Sequence, residues 1–320
     1  MTEPLFSLVA GEGDGALLGL AAGDTASGAW KLGYSAITQQ VTLISYELIG
    51  HGQIDQTRFT DSVLELDGSQ DEEPVFRAES PEFRSWLDGA ALGSPVPDET
   101  PSLDPIGRSA PIGVYYRRDP EILYQEVVGL NRLFHNDAPS LLSGVIVAAA
   151  VAASCFGQVG RDLLLGVSES VEHAVDQLST GSVGLVDIDL IEDAPARVSG
   201  LVDSYGLRSG LEALDRVRVD GRSSSLDATL AMLLVAAPTA DRSHEPVVEG
   251  VKVGGANGGA AVGAILGARV GIRAWPWAFA NDTWFAEIGR RLVRGPAEVR
   301  DLPIPYAVEQ HLISGVRRDR

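Results

Sequence analysis

Residues 254–271 read GGANGGAAVGAILGARVG, and Gly259, Gly263, Gly267 and Gly271 recur at every fourth position. On a helix that step places all four on one face, a groove without side chains. Glycine in a helix interior costs about 1 kcal/mol relative to alanine. Such a face is therefore retained only where another backbone packs very close. The same step occurs in Gly15, Gly19 and Gly23, within GALLGLAAGD, and these residues are the candidate partner. Two closely packed core helices follow from this pairing.

A chain of 320 residues has room for one large domain or two ordinary ones. Its 45% hydrophobic and 22% charged residues are those of a globular protein with a large core. The net charge of −19 argues against a nucleic-acid surface or binding to anionic membrane, though not against one small phosphorylated ligand held by arginines. Cys155 is the single cysteine, so an intrachain disulfide and a cysteine metal cluster are excluded. It lies in an Ala/Val-rich run that suits a buried thiol. The first 15 residues carry acids and no base, unlike a secretory leader. The apolar runs near 141–156 and 258–272 are short for a membrane span or interrupted by Arg269. A cytoplasmic protein with no membrane partner is expected.

Helical periodicity dominates the rest. Helices are expected near 13–29, 38–50, 55–66, 83–87, 107–117, 119–134, 138–156, 161–178, 185–204, 208–217, 224–237, 244–253, along the glycine run, 281–293 and 304–315. No alternating β-branched run demands a strand. Residues 67–81 read as an exposed acidic excursion, and four prolines between 95 and 105 set a long irregular loop. An all-α single domain over 1–320 is expected.

Several short segments carry a family resemblance. GALLGLAAGD, the run Tyr34 to Leu43, Arg108-Ser109-Ala110-Pro111-Ile112-Gly113, Phe134-His135-Asn136-Asp137 and the Gly-Ala-Ile-Leu-Gly-Ala of 263–268 occur in the order and about the spacing of the ADP-ribosylglycohydrolase family. The resemblance spans about 13–275 and implies an orthogonal bundle of many helices around a cleft. It also implies two Mg²⁺ ions that orient the ribose and a water for hydrolysis at the anomeric carbon. In the family their ligands come from a Ser/Thr-Asp-Asp-Thr motif opening the second helix and an Asp-Thr-Asp-Thr/Ser motif opening the glycine-rich helix.

This chain departs from both motifs. Ser35 and Thr38 remain, but Ala36 and Ile37 stand at the two aspartate positions. The second motif reads Gly258-Gly259-Ala260-Ala261, or Ala256-Asn257-Gly258-Gly259 two residues earlier. Trp30 and Lys31 lie where the family uses a further acid. Hydroxyls and an amide without carboxylate charge do not offset the dehydration of two divalent cations. The expectation is no metal centre and no other cofactor.

A ribosyl or nucleotide-like ligand remains the partner that the resemblance implies, with oligomeric state open. Gly255, Gly258 and Gly259 precede or open a helix, where backbone N–H groups suit phosphate, or else they serve a tight turn and close packing. Asn257 suits a ribose hydroxyl or a left-handed turn. Ser35, Thr38, Arg108 and Ser109 complete the candidate ligand set, with Arg108 holding either a phosphate or a neighbouring carboxylate. Asp24, Asp104 and His135 are the candidate acid–base groups for a metal-independent cleavage, since carboxylates and a positioned water suffice for oxocarbenium chemistry. Each has a structural alternative: Asp24 as a loop brace, Asp104 as a solvated loop acid beside Asp98 and Glu99, His135 as a buried hydrogen-bonded imidazole. His51, His173, His244 and His311 show no metal-ligand spacing, and no P-loop or Ser-His-Asp signature occurs. The sequence thus leaves open a metal-independent N-ribosyl hydrolase and a non-catalytic pseudoenzyme that binds, regulates or builds an assembly.

Overall fold

Helix α1 (Ala16–Ala26) and helix α13 (Glu245–Val270) cross with their glycine faces in direct contact. A β-carbon placed on Gly19 would lie 2.1 Å from the carbonyl oxygen of Gly263, and one on Gly23 would lie 1.9 Å from that of Gly259. Gly15 meets Gly267 in the same way, at 2.5 Å. As one index rises the other falls, so the two helices run antiparallel, and the sequence pairing holds.

The computed structural model describes residues 13–29, 33–68, 75–181, 184–206, 209–219, 224–238, 244–272, 275, 280–296, 302, 303, 305 and 307–309. Among these, the α-helices in chain order after α1 are α2 (Ala36–His51), α3 (Gln56–Asp67), α4 (Pro81–Ala91), α5 (Asp104–Arg108), α6 (Ala110–Tyr115), α7 (Pro120–Asn131), α8 (Ala138–Cys155) and α9 (Gly160–Gly181). They continue with α10 (Ala194–Gly200), α11 (Gly210–Val217) and α12 (Ser225–Ala236), then α13 and α14 (Asp282–Arg294). The described residues form no strand; isolated bridges link Asp98 with His135 and Asp137 with Val186. The fold is all-α.

Helix α8 is the axis of the core. Asp137 caps its start by accepting from the Ser140 N–H at 2.8 Å, Pro139 sits in its first turn, and every residue but Ala153 is buried. Around it pack α5, α6, α7, α9, α12 and α13. At 18 residues α8 is long and apolar enough to cross a membrane, longer than the run read from sequence, but it is 94% buried within the fold. Cys155 at its end is buried. One main apolar cluster runs from Ala16 to Leu292, with a small second one around Tyr34 and Phe285.

Three local expectations change, and a fourth lies mostly outside the described residues. The helix expected at 107–117 is two short helices joined at Ser109, because Pro111 has no N–H to continue the ladder. The helix expected at 185–204 is α10 flanked by 3-10 turns at Ile188–Ile191 and Leu201–Ser204; Asp187 is left-handed and Pro195 again lacks a donor. In the acidic excursion Val75, Phe76 and Arg77 are buried rather than exposed, and residues 69–74 lie outside the described residues. Of the helix expected at 304–315, residues 307–309 are helical and 310–315 lie outside the described residues, as do Trp30, Lys31, His311 and the first 12 residues.

Helix α13 has two limbs. Gly254 (φ −136°, ψ 21°) and Gly255 (φ 59°, ψ −141°) break the ladder between 253 and 256. Only glycine holds the Gly255 conformation without strain. The break gives the glycine-faced limb an N-terminus of its own, with Asn257 in its first turn.

Candidate functional site

The glycine contact ends where the polar residues begin. Asp24 follows Gly23 in the last turns of α1 and is buried. Its Oδ2 accepts three hydrogen bonds: from the Ser35 N–H at 2.8 Å, from Ser35 Oγ at 3.0 Å and from Thr38 Oγ1 at 2.7 Å. Ser35 also caps α2, its Oγ accepting from the Ile37 N–H. Burial raises the Asp24 pKa, while the bonds from Thr38 and Ser35 hold it down. Oδ1 of Asp24 is buried with no hydrogen-bond partner among the described residues.

A second group surrounds α5. Asp104 opens that helix and Arg108 closes it. Ser80, the cap of α4, donates to Asp104 Oδ2, and Asn257 Nδ2 donates to Oδ1 at 3.0 Å. Arg108 is fully buried; its Nε donates to Gln40 Oε1 at 2.9 Å, and its guanidinium lies 3.8 Å over the Phe134 ring. Its Nη2 stands 3.8 Å from Asp104, and neither terminal nitrogen has a hydrogen-bond partner among the described residues. Burial lowers its pKa to about 10, against the opposing pull of Asp104, so it stays charged at neutral pH.

His135 is held by main-chain bonds that tie its loop to the proline-rich one. The Asp98 N–H donates to the Phe134 carbonyl at 2.8 Å, and the Asn136 N–H to the Asp98 carbonyl at 2.7 Å. The imidazole is buried and neither nitrogen has a partner among the described residues. Burial first, then the Arg108 charge, lowers its pKa to about 4, while Asp104 and Asp98 pull the other way. At neutral pH it is an uncharged ring able to give or take a hydrogen bond.

Between the two groups stands Ile37. A β-carbon on Gly107 would lie 2.5 Å from Ile37 Cγ2 and 3.4 Å from Asn257 Oδ1. Helix starts α2 and the second limb of α13 therefore meet over α5, with a methyl group at the junction. Asp104, Arg108 and Asn257 gather at α5, His135 lies within electrostatic reach of Arg108 and Asp104, and Asp24 is bonded to Ser35 and Thr38 on either side of Ile37.

The family model for ADP-ribosylglycohydrolase matches residues 13–301. The chain belongs to that family. A solved structure described as an ADP-ribosylglycohydrolase-related protein complex superposes with a TM-score of 0.62. At 20% identity, over 89% of this chain and 97% of that one, it shows the shared fold. No curated protein matches the chain.

Within this family fold the other sequence candidates are placed differently. Ser109 Oγ donates to the Pro105 carbonyl and accepts from Asn131 Nδ2, so it ties α5 to α7. Gly258 and Gly259 are buried, their α-carbons turned onto the carbonyl oxygens of Gly250 and Gly23. Gly255 is exposed with open space above it. Asn257 is helical; Gly255 supplies the left-handed residue. Asp98 is half-buried and Glu99 exposed. Among the described residues no three of His, Cys, Asp and Glu converge as a metal site.

Sequence reasoning missed Ser80, Gln40 and Phe134, which hold Asp104 and Arg108. It also missed a buried ion pair beside α2, in which Glu309 binds Arg77 and accepts from Tyr34 Oη at 2.8 Å and Gln39 Nε2 at 3.0 Å. These partners lie 24 to 275 residues apart in the chain. No local spacing announces them.

Proposed function

We propose that this family member keeps the cleft as a recognition site for a ribosyl or nucleotide-type ligand and works without the di-magnesium centre that the resemblance implies. One observation carries the reading: the Ile37 methyl stands against Gly107 and beside Asn257 and Asp104, at a position where the family motif has a carboxylate. The remaining acids already have partners. Asp24 is saturated on one oxygen by Ser35 and Thr38, and Asp104 is shared by Ser80, Asn257 and the Arg108 cation. Magnesium takes near-octahedral oxygen sets including carboxylates, and this donor set does not fit a pair of such ions. The unpartnered hydrogen-bonding atoms of His135, Arg108 and Asn257 supply what a polyhydroxylated, phosphorylated ligand would engage.

Calorimetry with MgCl₂ alone, then with ADP-ribose in the presence and absence of EDTA, tests this. Ligand binding indifferent to EDTA is the expected result; two tightly bound Mg²⁺ per chain would refute it. A second reading rests on Asp24, whose raised pKa and unpartnered Oδ1 suit a metal-independent acid–base group. Release of ADP-ribose from a ribosylated substrate in EDTA, lost in Asp24→Asn, would select it over binding alone.

A further inference from the structure

Pro101, three residues before Asp104, also forms part of the wall of a separate cavity of about 640 Å³. That volume is within the range of small-molecule sites, about 300–1,000 Å³. The cavity lies between the 3-10 turn Ile188–Ile191, α10 and the start of α12, and none of the residues of the proposed cleft lines it. Leu190, Val219 and Leu226 give it apolar walls; Leu190 and Val219 remain 51% and 49% exposed, an unusual state for neighbouring aliphatic side chains.

Among the described lining residues the unpaired charges are negative. Arg197 is neutralised by Asp227, which it contacts directly while also donating to the Val217 carbonyl at 2.8 Å. Asp227 in turn accepts from the Ser224 N–H in the capping box of α12, so the positive end of that helix is already matched. Asp189 and Asp193 are exposed at the lining and make no ion pair among the described residues. The third feature is Ser225: only 7% exposed, it forms part of the lining, and its buried Oγ has no hydrogen-bond partner among the described residues.

The geometry points to a binding site for a small organic cation, a protonated amine or guanidinium on an apolar body. The head would sit against Asp189 and Asp193, the body between Leu190, Val219 and Leu226, and Ser225 Oγ would accept from the head. An anion would meet two carboxylates that make no ion pair among the described residues, and a neutral apolar molecule would leave them unanswered.

The test uses 2-phenylethylamine as probe and 3-phenylpropanoate as its anionic counterpart, by ligand-observed NMR and calorimetry on the full chain. The amine is expected to bind at millimolar concentration or tighter and the carboxylate not to bind. Asp189→Asn with Asp193→Asn is expected to weaken the amine about fivefold to tenfold, the range for two exposed charge contacts. Val219→Trp, at an exposed position that tolerates bulk, is expected to block it while leaving ADP-ribose binding unchanged. The inference is overturned by any of three results: no amine binding, equal binding of the carboxylate, or amine binding that survives both variants.

Discussion

Replacing Gly19 with alanine sets two opposed effects against each other at one atom. In an isolated helix the change would stabilise by about 1 kcal/mol. In this fold the new methyl would lie 2.1 Å from the Gly263 carbonyl oxygen and 2.5 Å from Trp275 Cζ2. Carbon–oxygen contacts between packed helices settle near 3.3–3.6 Å, so α1 must retreat by about 1 Å. The obstacle is main chain, which has no rotamer to change. A gap of 0.5–1 Å forfeits roughly a quarter to a half of the dispersion energy of each facing pair. Overpacking of this kind costs about 1–3 kcal/mol and sometimes more.

Gly19→Ala is therefore expected to lose about 2 kcal/mol net, the upper overpacking cost less the propensity gain. In a chain of this size that is a fall in Tm of about 4 °C. Gly129 in α7 supplies the control, because a β-carbon there meets only Gln56 Nε2, at 3.6 Å. Gly129→Ala should be neutral or stabilising by up to about 1 kcal/mol. Chemical denaturation of both single variants, and of Gly19→Ala combined with Gly263→Ala, completes the set. Once α1 has retreated for the first methyl, the second meets less resistance, so the double loss should be smaller than the sum by about 1 kcal/mol or more. A Gly19→Ala variant as stable as the parent, or fully additive losses, would refute face-to-face backbone packing.

Other expectations follow from the buried polar groups. The His135 pKa, lowered to about 4, means that the unfolded chain binds the extra proton first as pH falls below about 6.5. Stability should fall by up to about 1.4 kcal/mol per pH unit between those values, and His135→Gln should remove that slope in denaturation at fixed pH. Burial raises the Asp137 carboxyl to about 6, with the opposite sign: its contribution is largest below about pH 4 and declines as pH rises through 6. Asp137→Asn should therefore steepen the net acid sensitivity that His135→Gln flattens; identical profiles for both variants would contradict these assignments. Glu309→Ala leaves Arg77 without its buried carboxylate and removes an acceptor from Tyr34 and Gln39, for an expected loss of about 3–5 kcal/mol by thermal or chemical denaturation. Ile37→Asp restores a family carboxylate at a buried site and should destabilise by about 3 kcal/mol or more at pH 8. If that variant is as stable as the parent, the junction is wetter and more permissive than the packing indicates.

The glycine pairing was legible because its signal is periodic: a four-residue step at both ends of the chain has a cost that only close approach explains. The helices were legible wherever apolar periodicity ran on; the caps at Asp55, Ser80 and Asp137, whose side chains each accept from the N–H three residues on, were not singled out. Pro111 and Pro195 were visible as residues, but their effect was underestimated, since a proline in the second helical position starts a new helix as readily as it joins an old one. The site was half legible. Asp24, Ser35, Thr38, Asp104, Arg108, His135 and Asn257 were named as candidates from motif order and loop position; which donor faces which acid depends on tertiary distance and was not. Val75 and Phe76 were hidden by the acids around them, because charge density in a segment says nothing about two aromatic or aliphatic side chains that turn inward.

The close crossing of α1 and α13 also fixes the spacing on which the proposed metal-free site rests. Gly23 is pinned to Gly259, so Asp24 and Asn257 are fixed within two residues of the last crossing point, whatever occupies the space between them. Several negative oxygens crowded at such a junction would repel one another until cations screen them. Here Ala36 and Ile37 carry no charge, Asp24 accepts from hydroxyls, and Asp104 meets an amide and a guanidinium. Arg108 is the decisive member, because it is a fixed cation beside the acid that would otherwise need one. Removing its charge in Arg108→Met should weaken any ligand that uses the guanidinium. A variant that instead gained magnesium affinity would mean that the arginine, not the missing aspartates, had been keeping the metal out.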